Sequence, residues 1–132
     1  MQRVAGAALA RPIAFGSTLR LMARFVAPVL QLVTVVPDDA RLGDSVGLVT
    51  DDPVADELIR ATRGHEASLT AIVTESQARA FSTAGFELFD ARGPVQGRAA
   101  AYRCREFVCA MPVVDADALR ALTTALDDAS PV

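Results

Sequence analysis

Two β-branched apolar runs with a helix-forming stretch between them constrain the fold of this chain more than any other feature. The first run, LQLVTVV at residues 30–36, ends at Pro37, and the second, ASLTAIVT, covers residues 67–74. Both have the composition and length of buried strands. The intervening DDPVADELIRATRG has Asp52 as N-cap, Pro53 at the first helical position and a glycine stop. The sequence therefore predicts a strand, a helix and a second strand in that order.

Weaker signals on either side of this unit predict the remaining elements. An N-terminal helix begins at Pro12 and ends at Pro28, because apolar residues between them recur every three or four positions. Thr74 and Gln77 form a capping box that opens a short helix. The further expectations are strands at Ser45–Thr50, Phe86–Phe89 and Arg98–Cys104, and a last helix that Asp115 caps.

This alternation predicts an α/β fold: a small mixed sheet of about four strands with helices packed on it, preceded by an N-terminal helix. We divide the chain into an N-terminal helical segment at residues 1–29 and a small α/β domain at residues 30–132. The Ala-rich start has little apolar periodicity of its own, and we expect it to be the end of a preceding helical domain.

Composition and charge exclude several classes of protein. With 52% hydrophobic and 22% charged residues, the chain is not intrinsically disordered. Its net charge of −3 has no basic stripe beyond the N-terminal arginines, so we expect no nucleic-acid partner. The longest apolar run, Phe25–Val36, is too short to span a bilayer. Without a span or a secretion signal the sequence predicts a cytoplasmic location, where thiols stay reduced.

The chain's two cysteines, Cys104 and Cys109, lie five positions apart. On one straight strand their α-carbons would be about 16 Å apart, beyond the roughly 7 Å limit for a disulfide. The apolar phase slips at Arg105-Glu106, and a turn or bulge there places both cysteines on the core side. We expect reduced, packed cysteines; a conditional disulfide is the alternative.

No cofactor or metal site is expected. A structural zinc site needs four ligands, and His65, which follows a predicted helix end, is the one further soft ligand. Arg103 and Arg105 would lower the pKa of Cys104, but adjacent charges on a strand more often form a solvated face. The chain also lacks a recognisable Ser-His-Asp arrangement or phosphate-binding loop, so we expect the isolated chain not to be an enzyme.

The stretch AYRCREFVCAMPVVD, residues 101–115, carries the most specific pattern in the chain. It resembles a C-terminal signature, A-Y-x-C-x-x-F-x-C-x-x-P-V-x-D, of the thioredoxin domain-containing protein family, which includes spermatogenesis-associated members. The matching residues are Ala101, Tyr102, Cys104, Phe107, Cys109, Pro112, Val113 and Asp115. The upstream PIAFGSTLRLMARFVAP and LQLVTVV are similar to the helix and strand that precede this signature. The resemblance is loose between Pro37 and Phe86.

The resemblance implies a non-catalytic C-terminal accessory domain. Members of the family are longer, with an N-terminal thioredoxin-like domain that bears a cysteine pair and a central helical barrel similar to sugar epimerases. Neither is present here, so that other cysteine pair has no counterpart. By this resemblance the domain packs on a helical barrel, in the same chain or another, or forms a homo-oligomer, through exposed apolar surface.

Two other functions compete with this interpretation. Cys104 and Cys109 would form a thiol-based redox or regulatory module if their sulfurs lay within disulfide reach and one were accessible. Acids after the strand ends would instead line a small-ligand site at the carboxyl edge of the sheet. These acids are Asp38, Asp39, Asp51 and Asp52.

Overall fold

The fold, taken from a computed structural model, is mixed α/β as the sequence predicts. The structure describes residues 28–43 and 47–128, together with Ser17, Arg20, Leu21 and Ala23. Side chains are described up to Thr124. The strands are β1 (Leu30–Val36), β2 (Arg41–Leu42), β3 (Leu48–Val49), β4 (Leu69–Thr74), β5 (Ala100–Arg105) and β6 (Val108–Cys109). The helices are α1 (Pro53–Gly64), α2 (Glu75–Thr83) and α3 (Ala116–Asp128), with a 3-10 turn at Glu87–Phe89.

Four of the strands form a sheet in the order β4-β1-β5-β6. β1 runs parallel to β4 and antiparallel to β5, and β5 is antiparallel to β6. The parallel pair requires a crossover between β1 and β4, and α1 provides it. β2 and β3 pair in a separate two-stranded sheet.

Each face of the sheet packs against its own helices. On the first face, α1 and α3 bury Leu58, Ile59 and Leu119 against Leu32 and Val36 of β1. On the second face, α2 and the 3-10 turn cover side chains of β1 and β4. That second cluster consists of Val33, Val35, Val73, Ala78, Leu88 and Phe89. Because both faces of the sheet are covered, six of the seven residues of β1 are buried, including the polar Gln31 and Thr34.

The predicted starts of α1, α2 and α3 are confirmed. The Asp52 carboxylate accepts the Val54 N–H at 3.0 Å, and Pro53 occupies the first turn of α1. Thr74 forms the full capping box at the start of α2. Asp115 accepts the Ala118 N–H at 2.7 Å and begins α3. Local side-chain caps therefore determine where these helices start.

Three sequence predictions differ from the structure or fall outside it. The expected strand at Phe86–Phe89 is a 3-10 turn, because Phe89 N–H bonds back to Phe86 C=O at 3.0 Å. The Ser45–Thr50 strand is only the two residues of β3, with residues 44–46 outside the described part. The N-terminal helix also falls outside the described residues, apart from four helical positions. Among the described residues, no helix is long and apolar enough to cross a membrane.

Candidate thiol–disulfide site

The signature stretch folds into a tight hairpin of β5 and β6 joined by Glu106 and Phe107. Both turn residues have positive φ, 50° and 68°, which is the backbone of a type I′ hairpin turn. This turn usually contains asparagine, aspartate or glycine, so the Glu-Phe pair gives no sequence signal that predicts it. The turn lies one residue beyond the predicted slip at Arg105-Glu106, and it determines which residues face each other across the hairpin.

Cys104 and Cys109 are directly opposite in this hairpin and form a disulfide, with α-carbons 3.9 Å apart. The Ala110 N–H bonds to Arg103 C=O at 3.0 Å, so the cysteines occupy the adjacent non-hydrogen-bonded pair, where opposing side chains are closest. The expectation of two reduced, packed cysteines is therefore wrong, and the alternative of a disulfide describes the structure. Cys104 is buried, whereas Cys109 is partly exposed.

The disulfide ends a row of residues that crosses the sheet on its second face. Leu69 pairs with Gln31, Gln31 pairs with Cys104, and Cys104 pairs with Cys109. The buried Gln31 accepts the Phe107 N–H on its side-chain oxygen at 3.2 Å. A central strand and the hairpin turn are thus connected directly beside the sulfurs.

Arg92, from the turn after the 3-10 segment, places a guanidinium on the disulfide. Its Nη2 lies 3.4 Å from Cys104 Sγ and also contacts Cys109 Sγ. Its Nη1 donates to Asp90 C=O at 3.2 Å, while its buried Nε has no hydrogen-bond partner among the described residues. Burial lowers the pKa of Arg92, an effect that the charges of Tyr102 and Asp90 oppose. The disulfide therefore has a partly desolvated cation as its nearest polar neighbour.

Tyr102 positions the loop that carries this arginine. Its hydroxyl donates to Gly93 C=O at 2.6 Å and accepts the Gly93 N–H at 3.3 Å. Its ring centroid lies 5.8 Å from the Arg92 guanidinium carbon, within the range of a cation–π contact. Tyr102 lies two residues before Cys104 on the same face of β5, so one strand supplies both the sulfur and the support for the cation.

The structure brings most of the signature residues into one unit. Tyr102, Cys104, Phe107 and Cys109 all belong to the hairpin or its second face. After Pro112, the neighbouring Val113 exchanges two backbone hydrogen bonds with Ala101, and Asp115 then caps α3. The signature therefore specifies a disulfide hairpin and the entry to the last helix.

An apolar groove of about 640 Å³ lies beside the disulfide on the same face of the sheet. The row residues Leu69 and Gln31 form part of its floor, and Phe107 lines it from the hairpin turn. Its other aromatic residues are Phe81, Phe86 and Phe89, whose rings contact one another. Sequence analysis did not predict this groove, because its walls come from four separate segments.

The acids at the carboxyl edge of the sheet are engaged in local structure. The Asp38 carboxylate accepts the Ser76 N–H at 2.8 Å, and this hydrogen bond lowers the pKa of Asp38. Asp51 pairs with both terminal nitrogens of Arg41, which lowers the pKa of Asp51. Asp52 caps α1. Ion pairing and helix capping therefore account for three of the four acids proposed for a ligand site.

The described residues contain no group of three His, Cys, Asp or Glu side chains that could hold a metal ion. His65 caps the end of α1 through its backbone, with its N–H on Thr62 C=O at 3.3 Å.

Two residues of the site, Arg92 and Gln31, were missed by sequence analysis. Arg92 lies in the ARGPVQG turn, where an arginine is ordinarily a solvated residue, and Gln31 lies inside an apolar strand. No spacing in the sequence connects either residue to the cysteines.

Comparison of the chain with protein-family models, with curated proteins and with solved structures found no match, so its resemblance to the thioredoxin domain-containing family stays a prediction.

Proposed function

We propose that this chain works through reversible oxidation of Cys104 and Cys109, as a thiol-based redox or regulatory module. The observation that carries the proposal is the Arg92 guanidinium, 3.4 Å from Cys104 Sγ and in contact with Cys109 Sγ. A cation beside a sulfur stabilises the thiolate that forms when the disulfide opens.

The exposures of the two sulfurs support a defined direction of attack. An external thiolate attacks Sγ of the partly exposed Cys109, the sulfur–sulfur bond breaks, and buried Cys104 keeps the electron pair as a thiolate. A second thiol then attacks the mixed disulfide, releases the oxidised external pair and leaves Cys109 as a thiolate. Overall, two external thiols are oxidised while the protein disulfide is reduced to a dithiol.

The test is a redox titration of the folded chain in glutathione or dithiothreitol buffers, read by alkylation and intact mass. We expect a reversible two-electron transition without denaturant. In Arg92→Gln the reduced form loses its cation, so the reduction potential should become more negative by about 30 mV if one pKa unit of thiolate stabilisation is lost.

Matched variants separate an effect of this cation from a general effect of charge. Arg92→Lys should restore part of the shift, since it keeps the charge, and Arg98→Gln, on an exposed arginine of the same turn, should leave the potential unchanged. A disulfide that opens only after unfolding, or equal potentials in the wild type and Arg92→Gln, would contradict the proposal. We include a cytoplasmic location in the proposal. In that reducing compartment the disulfide would be formed and reduced repeatedly.

A second candidate function is the accessory domain that the resemblance implies, packing on a helical barrel. Two apolar side chains at the β6 edge of the sheet favour it: Val108 is 78% exposed and Met111 is 83% exposed. Both belong to the signature stretch, and exposed apolar surface is what the resemblance requires for packing on another domain.

A further inference from the structure

The apolar groove lies close enough to the disulfide to select what reacts with it. Leu69, on the groove floor, is two strands away from Cys104 in the same row of the sheet. At the usual spacing between strands, this separation is about 10 Å. Phe107 lines the groove and belongs to the hairpin that the disulfide closes. Cys109 lies one strand further, on β6, so a chain that crosses the groove from Leu69 toward the hairpin reaches it after about four or five extended residues.

The chemistry of the groove disfavours small anionic thiols. Among the described residues that line it, Glu87 is the only one with an ionisable side chain, and that side chain is a carboxylate. Arg92, the nearby cation, already contacts both sulfurs. A ligand such as glutathione, which carries two carboxylates, finds no complementary charge here. The groove suits an uncharged, apolar ligand.

The backbone beside the groove favours a polypeptide over a small molecule. β4 is the outermost strand of the sheet, and β1 is its one strand partner in the part of the chain that the structure describes. The groove is lined by Leu69, Thr70 and Ala71 of this strand. An extended peptide can add main-chain hydrogen bonds to such an edge and then continue across the groove, over β1, toward the hairpin; about six extended residues span that distance.

We propose that the substrate of the Cys104–Cys109 disulfide is an apolar, dithiol-bearing polypeptide segment that lies extended in this groove. This inference rests on the proposed redox function. One peptide thiolate attacks Cys109 Sγ and displaces the Cys104 thiolate, and the second peptide thiol then displaces Cys109. The peptide leaves with its own disulfide, having transferred two electrons to the protein.

The experiment compares three reductants of the oxidised full chain. Two synthetic peptides share a Cys-Gly-Gly-Cys centre, flanked by leucine, valine and phenylalanine in one and by serine and glutamine in the other. Glutathione is the third reductant. The rate at which the protein disulfide is lost is measured by acid quench, alkylation and intact mass.

We expect the apolar peptide to react about tenfold faster than the polar peptide at equal thiol concentration, since burial of one large apolar side chain suffices for that factor. Leu69→Ser should remove most of this preference. Leu42→Ser, on a more exposed leucine outside the groove, is the matched control and should leave all rates unchanged. Equal rates for the two peptides, or a preference that survives Leu69→Ser, would overturn the inference.

A redox-inactive peptide separates this inference from the proposed function. The apolar peptide with both cysteines replaced by serine should bind the oxidised chain, as measured by fluorescence anisotropy, and Leu69→Ser should weaken that binding. If no reductant opens the disulfide in the folded chain, the redox function fails and the substrate inference fails with it, even where the serine peptide binds. If the groove mediates self-association that Leu69→Ser abolishes in sedimentation, a second copy is the occupant and the inference is wrong.

Discussion

Glu106 and Phe107 adopt a backbone conformation in this hairpin that glutamate and phenylalanine disfavour. Both have the left-handed backbone that asparagine and glycine tolerate best. The Glu106 N–H nevertheless bonds to Val29 C=O at 2.9 Å, and the Phe107 N–H bonds to Gln31. These hydrogen bonds and the adjacent disulfide hold the turn in a conformation that its own residues disfavour. The same turn places Phe107 in the lining of the groove.

Replacing Glu106 by asparagine should therefore stabilise the oxidised protein. Asparagine adopts the left-handed region at lower cost, and the Glu106 N–H bond to Val29 does not involve the side chain. We expect Glu106→Asn to raise the free energy of unfolding by about 0.5–1 kcal/mol in urea denaturation. Glu66→Asn makes the same chemical change at an exposed position without positive φ, and it should have little effect. An unchanged or lower stability in Glu106→Asn would argue against strain at this turn.

At the scale of elements, α2 is held to the sheet by a cap from a distant part of the chain. Its own N-cap, Thr74, is the last residue of β4. Asp38, which follows β1, adds a hydrogen bond from the Ser76 N–H at 2.8 Å. Since β1 and β4 are parallel, their carboxyl ends meet at one edge, and this contact connects both strands to the helix.

This cap predicts an acid-dependent loss of stability. Hydrogen bonds from Ser76 hold the pKa of Asp38 below its ordinary value of 3.8, so the carboxylate stabilises the fold above that value. The contribution is lost as the pH falls through the lowered pKa of the folded state. Asp38→Asn should therefore destabilise the protein more at about pH 6 than at about pH 2, as measured by urea denaturation. Asp39→Asn, on the next exposed residue, is the control, and an equal effect of Asp38→Asn at both pH values would refute the assignment.

At the scale of the whole molecule, the two faces of the sheet are covered unequally. Among the described residues, the first face lies under the two long helices α1 and α3, whereas α2 and a 3-10 turn cover the second. The groove and the exposed apolar residues of the β6 edge remain at the surface. The inferred peptide substrate uses the groove, and the accessory-domain function uses the edge, so separate variants test them.

The accessory-domain function predicts binding to a helical barrel through the β6 edge. A purified helical-barrel domain of the thioredoxin domain-containing family is titrated with this chain by calorimetry. We expect binding that Val108→Glu or Met111→Glu weakens by about tenfold, because a buried carboxylate at an apolar contact is costly. Leu42→Glu, an exposed leucine away from this edge, should bind as the wild type does. The absence of binding, or equal binding by all variants, would contradict this function.

Local chemistry determined the elements that sequence analysis predicted. The caps at Asp52, Thr74 and Asp115 act within a few residues, so their effect can be read directly from the sequence. The β-branched apolar residues of β1 likewise predict a strand, which the structure confirms. The predicted strand at Phe86–Phe89 was wrong because a short apolar pattern fits either a strand or a turn. The backbone hydrogen bond from Phe89 to Phe86 stabilises the turn.

The sequence by itself thus determined the α/β class and the helix starts, since these depend on interactions between near neighbours. The tertiary structure alone decided the disulfide, because a turn without its usual residues makes Cys104 and Cys109 an opposed pair. It alone brought Arg92 to the sulfurs and assembled the groove beside them. These contacts join side chains from different strands and loops, and their proximity is fixed by sheet register, which no local pattern encodes.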